Sequence, residues 1–316
     1  MDTKNKAKVS ILIPVYNRTK IILETLHSAI RQTYENLEVI VVDNKSTDGT
    51  FEIVKKFAQT HLNVKVYQNA KNIGPVRNWR KCLDYATGEY AKILWSDDLI
   101  APEFIEKTLP SLTNNHDVGF VFTGTEIFYE TGQKKDAYFI GETGIYPMKN
   151  YLSGVLIGAN SPVSPGCALF RLKDLKKNLL LNIPNKLYSD FSMHAIGNDL
   201  LIYLLTAKDY LNFAFINEKL AFFRAHKDSI TVNSKGGKRV LLYDIVKAYF
   251  VENYLNDKAL EKKFNVLLLL HFLKYGKNSL KLKKMSEFYF KKKVKFFDID
   301  IWFFLKIVFT ALLKFV

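Results

Sequence analysis

The sequence predicts an α/β fold with a parallel sheet covered by helices on both faces. Within the first hundred residues, short apolar runs alternate with helical apolar spacing. Each run closes on polar or turn-forming residues, as buried strands do, and the gaps fit one crossover helix each. Val9–Val15 (VSILIPV) is the first strand. Lys20–Gln32 follows as a helix, with Ile22, Leu26, Ala29 and Ile30 near helical spacing. Leu37–Val42 is the second strand, closed by Asp43-Asn44-Lys45-Ser46. Thr47–Thr60 reads as a helix capped at Thr47 or Asp48, with Phe51, Val54 and Phe57 inward. Val64–Gln68, Val76–Ala86 and Tyr90–Trp95 complete the pattern as strand, helix and strand.

The middle of the chain is less regular. Val118–Thr123 and Glu126–Tyr129 read as the two strands of a hairpin, and Gly158–Gly166 (GANSPVSPG) as a loop. A helix starts at Asp199–Leu205, followed by two short strands, Phe213–Ile216 and Leu220–Phe223. From about residue 235 the chain becomes Lys-rich, with helical patterns at Val240–Leu255, Leu260–Tyr275 and Ser279–Lys293. The segment Ile301–Val316 is nearly all apolar, and Lys306, Thr310 and Lys314 recur every four residues as one narrow polar stripe. A helix of that kind suits a membrane interface better than a crossing. The upstream cluster Lys291-Lys292-Lys293 with Lys295 would draw it to anionic lipid, at roughly 1 kcal/mol per charge. The competing reading is a terminal helix packed on the globular body with solvated lysines.

Composition bounds the possibilities. With 316 residues, 48% hydrophobic and 24% charged, the chain buries a sizeable core, which excludes disordered and collagen-like classes. A formal charge of +15 suggests a polyanionic neighbour, nucleic acid or an anionic membrane face. The only cysteines, Cys82 and Cys167, form neither a disulfide framework nor a CxxC metal site, so a reducing, cytoplasmic setting is expected. The first apolar run is too short for a signal-peptide core, and no stretch has 18 uncharged apolar residues. Neither GxGxxG nor GxxxxGK[ST] occurs, which leaves a Rossmann dehydrogenase or P-loop NTPase unsupported.

Ligands of such sheets bind outside the carboxyl ends of the strands. A nucleotide needs a flat partner for its base, a polar group for the base edge and positive charge for phosphates. Tyr16 follows the first strand and offers a ring or hydroxyl. Asp43 ends the second strand and can accept from a base N–H. Asn72, Arg77 and Lys81 lie past the third strand, where phosphates would sit. Asp97 and Asp98 follow the fourth, and adjacent carboxylates are hard-oxygen donors for Mg²⁺ or Mn²⁺.

The stretches VSILIPVYNR, VIVVDNKSTDGT and NIGPVRNWRKCLDYATGEYAKILWSDD resemble the family 2 glycosyltransferases of the GT-A fold. The resemblance is continuous over about residues 8–130 and patchier to about 231. It implies a GT-A domain over 1–232, with a donor half to about 125 and an acceptor half over about 126–232. A basic helical region would fill 233–316, with the interface helix at 300–316. It further implies that Pro14, Tyr16 and Arg18 surround the base, that Asp43 bonds its edge, and that Asn72-Ile73-Gly74 and Arg77 meet the donor. Ser96-Asp97-Asp98 matches the acidic metal motif, with Asp97 also near the nucleotide. Trp95 stands where many members have the first Asp of that motif, a departure that falls on the ribose contact. Asn198-Asp199 matches the acidic opening of the acceptor-half helix, which makes Asp199 the expected base and Asp190 the second candidate. Phe222-Phe-Arg224-Ala-His226-Lys-Asp-Ser229 is similar to the family's Tyr-Arg-x-His-x-x-Ser, implying that His226 or Arg224 reaches the diphosphate or the metal.

The reaction implied is inverting transfer of a sugar from a nucleotide donor to an acceptor hydroxyl, with Mn²⁺ or Mg²⁺ as cofactor. A UDP-sugar is the first expectation and a dTDP-sugar the second. The acceptor is a glycan or polyprenyl-linked glycan of a surface polysaccharide such as an O-antigen or capsule. The protein is expected in the cytoplasm, peripheral to the inner leaflet of the cytoplasmic membrane. Two other readings fit parts of the sequence. One is a degenerate transferase that binds nucleotide-sugar without catalysis, motivated by Trp95. The other is a nucleic-acid-binding protein, but no zinc-finger spacing or RNA-binding signature supports it and the basic residues crowd the C-terminal third, so no nucleic-acid partner is expected.

Overall fold

The computed structural model describes residues 6–158, 160–226 and 237–312. Val9–Val15 (β1), Leu37–Asp43 (β2), Val64–Gln68 (β3) and Tyr90–Ile93 (β4) pair in parallel, with β1 flanked by β2 and β4. Every residue of β1 and β2 is buried, which explains why both read as unbroken apolar runs rather than alternating ones. Ile22–Ile30 (α1), Thr50–Gln59 (α2) and Pro75–Tyr85 (α3) cross between them and bury one stripe each. In α1 that stripe is Ile22, Thr25, Leu26 and Ala29.

The sheet is mixed rather than parallel throughout. After Leu99–Ile100 (β5) and the helix Phe104–Thr113 (α4), the chain enters Val118–Tyr129 (β6), Lys134–Ala137 (β7) and Gly144–Pro147 (β8). Beyond Met148–Ile157 (α5) come Ala168–Arg171 (β9) and Asn212–Ala225 (β10), and the strand order is β3-β2-β1-β4-β9-β6-β10-β5. β9 runs antiparallel to both β4 and β6, so the first hundred residues and the middle of the chain share one sheet.

Three expectations are corrected. Residues 118–129 form one strand, not a hairpin; Phe120–Phe122 pair antiparallel with β9 and Thr125–Phe128 with β7. Gly124, between the two segments expected as hairpin strands, allows a close approach within the strand: a Cβ would lie 2.3 Å from Phe139 Cζ. The two short strands at 213–223 are one strand, β10, with register shifts around Ile216–Ala221. Residues 279–293 are not a helix. Lys281 has φ 53°, Glu287 accepts from the Lys283 amide at 2.9 Å, and Glu252 accepts from the Lys291 amide at 2.7 Å and from that of Lys292. These side chains satisfy amides that a helix would have paired.

Leu172–Asn178 (α6), Phe191–His194 (α7) and Asn198–Ala207 (α8) cover the acceptor side, followed by Lys238–Tyr254 (α9), Lys258–His271 (α10) and Ile301–Leu312 (α11). α9 packs on α8, and α10 on α5. Leu241, Leu242, Ile245, Val246 and Phe250 are buried in the same apolar cluster as β1. Cys82 and Cys167 are buried and unpaired.

Candidate active site

The register fixes the geometry of one sheet edge. Val15 lies beside Asp43, Asp43 beside Gln68, and Leu12 beside Ile93. Because all four strands run the same way, Tyr16–Arg18, Asp43–Ser46, Asn69–Asn72 and Trp95–Asp98 leave the sheet together. The first two loops are laced to each other: the Asn17 amide donates to Ser46 Oγ at 2.9 Å, the Thr47 amide to Asn17 Oδ1 at 2.9 Å, and the Arg18 amide to Thr50 Oγ1 at 2.7 Å. Asn17 and Lys45 take left-handed backbone, φ 52° and 63°, at those bends.

The expected donor-side residues are all at this edge, in different states. Tyr16 is 40% exposed, whereas Pro14 is buried inside β1. Asp43 is sealed at 0% exposure. Its carboxylate accepts the Ser46 amide at 2.9 Å, Gln68 Nε2 at 3.0 Å and the Ser46 hydroxyl. Three donors on about four acceptor sites leave one, and a base edge reaches it only after Ser46 or Gln68 turns. Asn72 is committed to an amide network that sequence reasoning missed. Its Oδ1 accepts Asn44 Nδ2 at 2.9 Å and the Gly74 amide at 3.0 Å, while Asn69 Nδ2 donates to Asn44 at 3.1 Å and to Asn78 at 2.8 Å. The signal available was the density of Asn after the second and third strands. Arg77 faces Asp190 at 3.8 Å and Met193 Sδ at 3.5 Å, and Lys81 is exposed on α3.

Asp97 is the centre of charge. Its Oδ2 lies 2.9 Å from His226 Nε2 and 3.6 Å from the Arg18 guanidinium. Arg18 Nε is buried without a hydrogen-bond partner. Asp98 instead turns inward: its Oδ1 accepts the Arg224 amide at 2.9 Å, and it is 6% exposed. Burial, then the adjacent Asp97 charge, pushes its carboxyl well above the ordinary range. Arg224 braces the same turn, donating to the Asp97 carbonyl at 3.1 Å and to Glu24 at 2.6 Å. Beneath Asp98, Lys92 is fully buried, donates to the carbonyls of Ile93 and Gly166, and is pushed down to about 7 by burial. Among the described residues no cluster of three His, Cys, Asp or Glu side chains forms a ready cation cage. Asp97 and His226 are the carboxylate and imidazole donors at this edge that would hold a cation, in place of the hydrogen bond they share. Ser229, the end of that motif, lies outside the described residues.

Asp199 opens α8 and is partly exposed. Oδ1 accepts the amides of Gly197 at 2.9 Å and Leu200 at 2.8 Å, and Oδ2 accepts the Tyr243 hydroxyl at 2.7 Å. Burial pushes its carboxyl up to about 6 against those hydrogen bonds. Asp190 is different: it caps α7, is exposed, and is held below the usual range by Ser192. One turn beyond Asp199, Tyr203 donates to the Ser164 carbonyl at 3.1 Å, and Ser164 Oγ accepts the Trp95 indole at 2.9 Å. That chain runs from the helix carrying Asp199 to the residue preceding Ser96-Asp97-Asp98.

Comparison with known proteins gives the family and the fold. The chain is 28% identical to the glycosyltransferase GlyG of Streptococcus pneumoniae serotype 4 over 232 residues, covering 70% of this chain and 72% of GlyG. EpsE of Bacillus subtilis (strain 168) is 35% identical over 126 residues, 40% of this chain and 45% of EpsE, so that match spans less than half of either protein. The S. aureus TarS 1–349 structure in complex with UDP-GlcNAc superposes with a TM-score of 0.66 at 22% identity, covering 88% of this chain and 77% of that one. The mannosyltransferase PcManGT of Pyrobaculum calidifontis, in complex with GDP-Man and Mn²⁺, gives 0.53 at 18% identity over 84% and 75%. The family model described as Glycosyl transferase family 2 matches residues 10–179. With a GT-A fold and more than half its length inside that match, the chain belongs to glycosyl transferase family 2.

Proposed function

We propose that the protein is an inverting glycosyltransferase that moves a sugar from a nucleotide donor to a hydroxyl of a glycan or lipid-linked glycan in surface polysaccharide synthesis. The observation that carries this is the convergence of Arg18, Asp97 and His226 at the edge where β1, β2 and β4 end. Arg18 Nε, buried and unpaired, is a donor that a phosphate oxygen would satisfy. A UDP-sugar is the favoured donor, with a dTDP-sugar second. The TarS neighbour is a complex with UDP-GlcNAc, and Asp43 suits the uracil or thymine edge once Ser46 or Gln68 turns. The surface-polysaccharide role draws on TuaG of Bacillus subtilis, named provisionally as a teichuronic acid biosynthesis glycosyltransferase, which is 27% identical over 88% of this chain and 98% of its own.

In the proposed reaction the acceptor oxygen attacks the anomeric carbon from the face opposite the nucleoside diphosphate. The new C–O bond forms as the bond to the diphosphate breaks, and the leaving group takes the electron pair. Asp199 Oδ2 takes the acceptor proton, and a single displacement inverts the anomeric centre. Its carboxyl at about 6 suits a base working near neutral pH better than Asp190. Arg18 and Arg77 hold the donor by charge. A divalent cation, Mn²⁺ or Mg²⁺, held by Asp97 and His226, would supply neutralising charge at the diphosphate; Asp98 holds the turn rather than the ion.

The proposed setting is the inner leaflet of the cytoplasmic membrane. Among the described residues no helix is long and apolar enough to cross a bilayer. On α11, Ile301, Trp302 (83% exposed), Leu305 and Phe309 (63% exposed) line one open face. Lys291, Lys293 and Lys295 are exposed nearby, whereas Lys292 is drawn inward to the buried Glu261. Lys314 lies outside the described residues.

A panel of nucleotide sugars, read by release of UDP, dTDP or GDP with Mn²⁺, Mg²⁺ or EDTA, tests the activity. UDP release that needs the cation and disappears in Asp97→Asn is the expected result. Binding of UDP without turnover of any donor would favour the degenerate reading instead.

A further inference from the structure

We infer that Tyr243, on the helix after the acceptor half, is a positioning residue: its hydroxyl holds the Asp199 carboxylate in the orientation that receives the acceptor proton. This rests on Asp199 being the base. One carboxylate oxygen is anchored by the Gly197 and Leu200 amides, so the group cannot swing away from the start of α8. The other accepts the Tyr243 hydroxyl at 2.7 Å and keeps one acceptor site, which is the one open to a substrate proton.

The helix is seated closely enough to enforce this. Gly197 has φ +104°, and a Cβ there would lie 2.5 Å from Val246 Cγ2. Val246 is three residues after Tyr243, so it lies on the same face of α9. A side chain at 197 would push away the helix that brings the hydroxyl. The titratable groups that interact with Asp199 are Tyr138 after β7, Tyr151 on α5 and Tyr243 on α9, with the Arg239 charge of α9 acting on Tyr138 and Tyr243. Of these, only Tyr243 donates a hydrogen bond to the carboxylate among the bonds described. Burial raises the carboxyl, and the donated bond favours its charged form. The family match ends at residue 179, so both the base and its partner belong to the part of the chain that the match does not reach.

The test is Tyr243→Phe, which keeps the ring and removes the hydroxyl. The acid limb of donor turnover against pH should move up by about half a unit to one unit, about a two- to sixfold loss near pH 6 that grows to about three- to tenfold below pH 5 and fades above pH 8. Val251→Ala removes buried packing from the same helix, away from the Gly197 contact, keeps the hydroxyl, and should leave the limb in place. An unmoved limb in Tyr243→Phe, a loss equal at every pH, or an equal shift in Val251→Ala each overturns the inference. Comparing the pH dependence of stability in each protein with that of its Asp199→Asn derivative locates the same titration without turnover. Failure of the inference is thereby separated from failure of the transferase reading, which would show as inactivity of the wild-type chain.

Discussion

Asp199→Asn should make the protein more stable while silencing it. The folded state holds this carboxyl at about 6, against 3.8 for an ordinary Asp. Two pH units correspond to about 3 kcal/mol of preference for the neutral form. The sign follows from linkage: a raised carboxyl costs nothing below pH 3.8, costs progressively more as pH rises through 6, and carries its full cost above that. Asn removes the charge yet keeps an oxygen for the Gly197 and Leu200 amides, and the Tyr243 hydroxyl can turn from donor to acceptor. Allowing about 1 kcal/mol for the lost charged hydrogen bond, the variant gains about 2 kcal/mol at pH 7.5. Urea denaturation at pH 7.5 and pH 4 measures it, with the gap closing at the lower pH. Donor turnover should fall by about 10²–10⁴. A variant less stable than wild type, a gap independent of pH, or retained turnover would refute the reasoning.

Glu38 offers the opposite sign at the other end of the sheet. Burial would raise its carboxyl, but hydrogen bonds from the Thr87 amide, Lys65, Ser10 and Lys8 pull it down to about 2. The stabilisation is full above pH 4.5 and is lost as pH falls through 2. Glu38→Gln should therefore cost about 2–3 kcal/mol at neutral pH, and thermal unfolding at pH 7 and 3.5 should show the difference shrinking. For the interface helix, a Trp302→Ser/Phe309→Ser double variant should float less with vesicles containing phosphatidylglycerol. The wild type should bind those vesicles more than pure phosphatidylcholine ones, and equal flotation of both proteins would remove the membrane assignment.

The donor half was legible because its physics is local. A strand buried on both faces leaves an apolar run whatever its neighbours are, and the parallel register then carries Tyr16, Asp43 and Asp97 to one edge. Illegible features depend on partners distant in the chain. Gly124 reads as a gap between two hairpin strands unless Phe139 is known to cover it. Asp43 reads as an open acceptor unless Ser46 and Gln68 are seen to close over it. The Lys291–Lys295 run reads as a cluster free to meet anionic lipid, yet Lys292 pairs with the buried Glu261. Tyr243 carries no motif at all; only the docking of α9 on α8 gives it a role.

Trp95 bears on whether the departure in the acidic motif is a loss of function. An Asp there would add a carboxylate to a turn that already carries Asp97 and the buried Asp98, with Lys92 and Arg224 as the nearest compensating cations. The indole removes that repulsion and takes a structural task. It packs on Trp79 of α3 with ring centroids 4.6 Å apart and donates to Ser164, whose carbonyl accepts Tyr203. α3 carries Arg77 on the donor side, and α8 carries Asp199 on the acceptor side. In the proposed reaction a ring between them would set the distance over which the acceptor oxygen must reach the anomeric carbon, on which a single displacement depends. On that reading Trp95 exchanges a ligand contact for a link between α3 and α8 through Trp79, Ser164 and Tyr203.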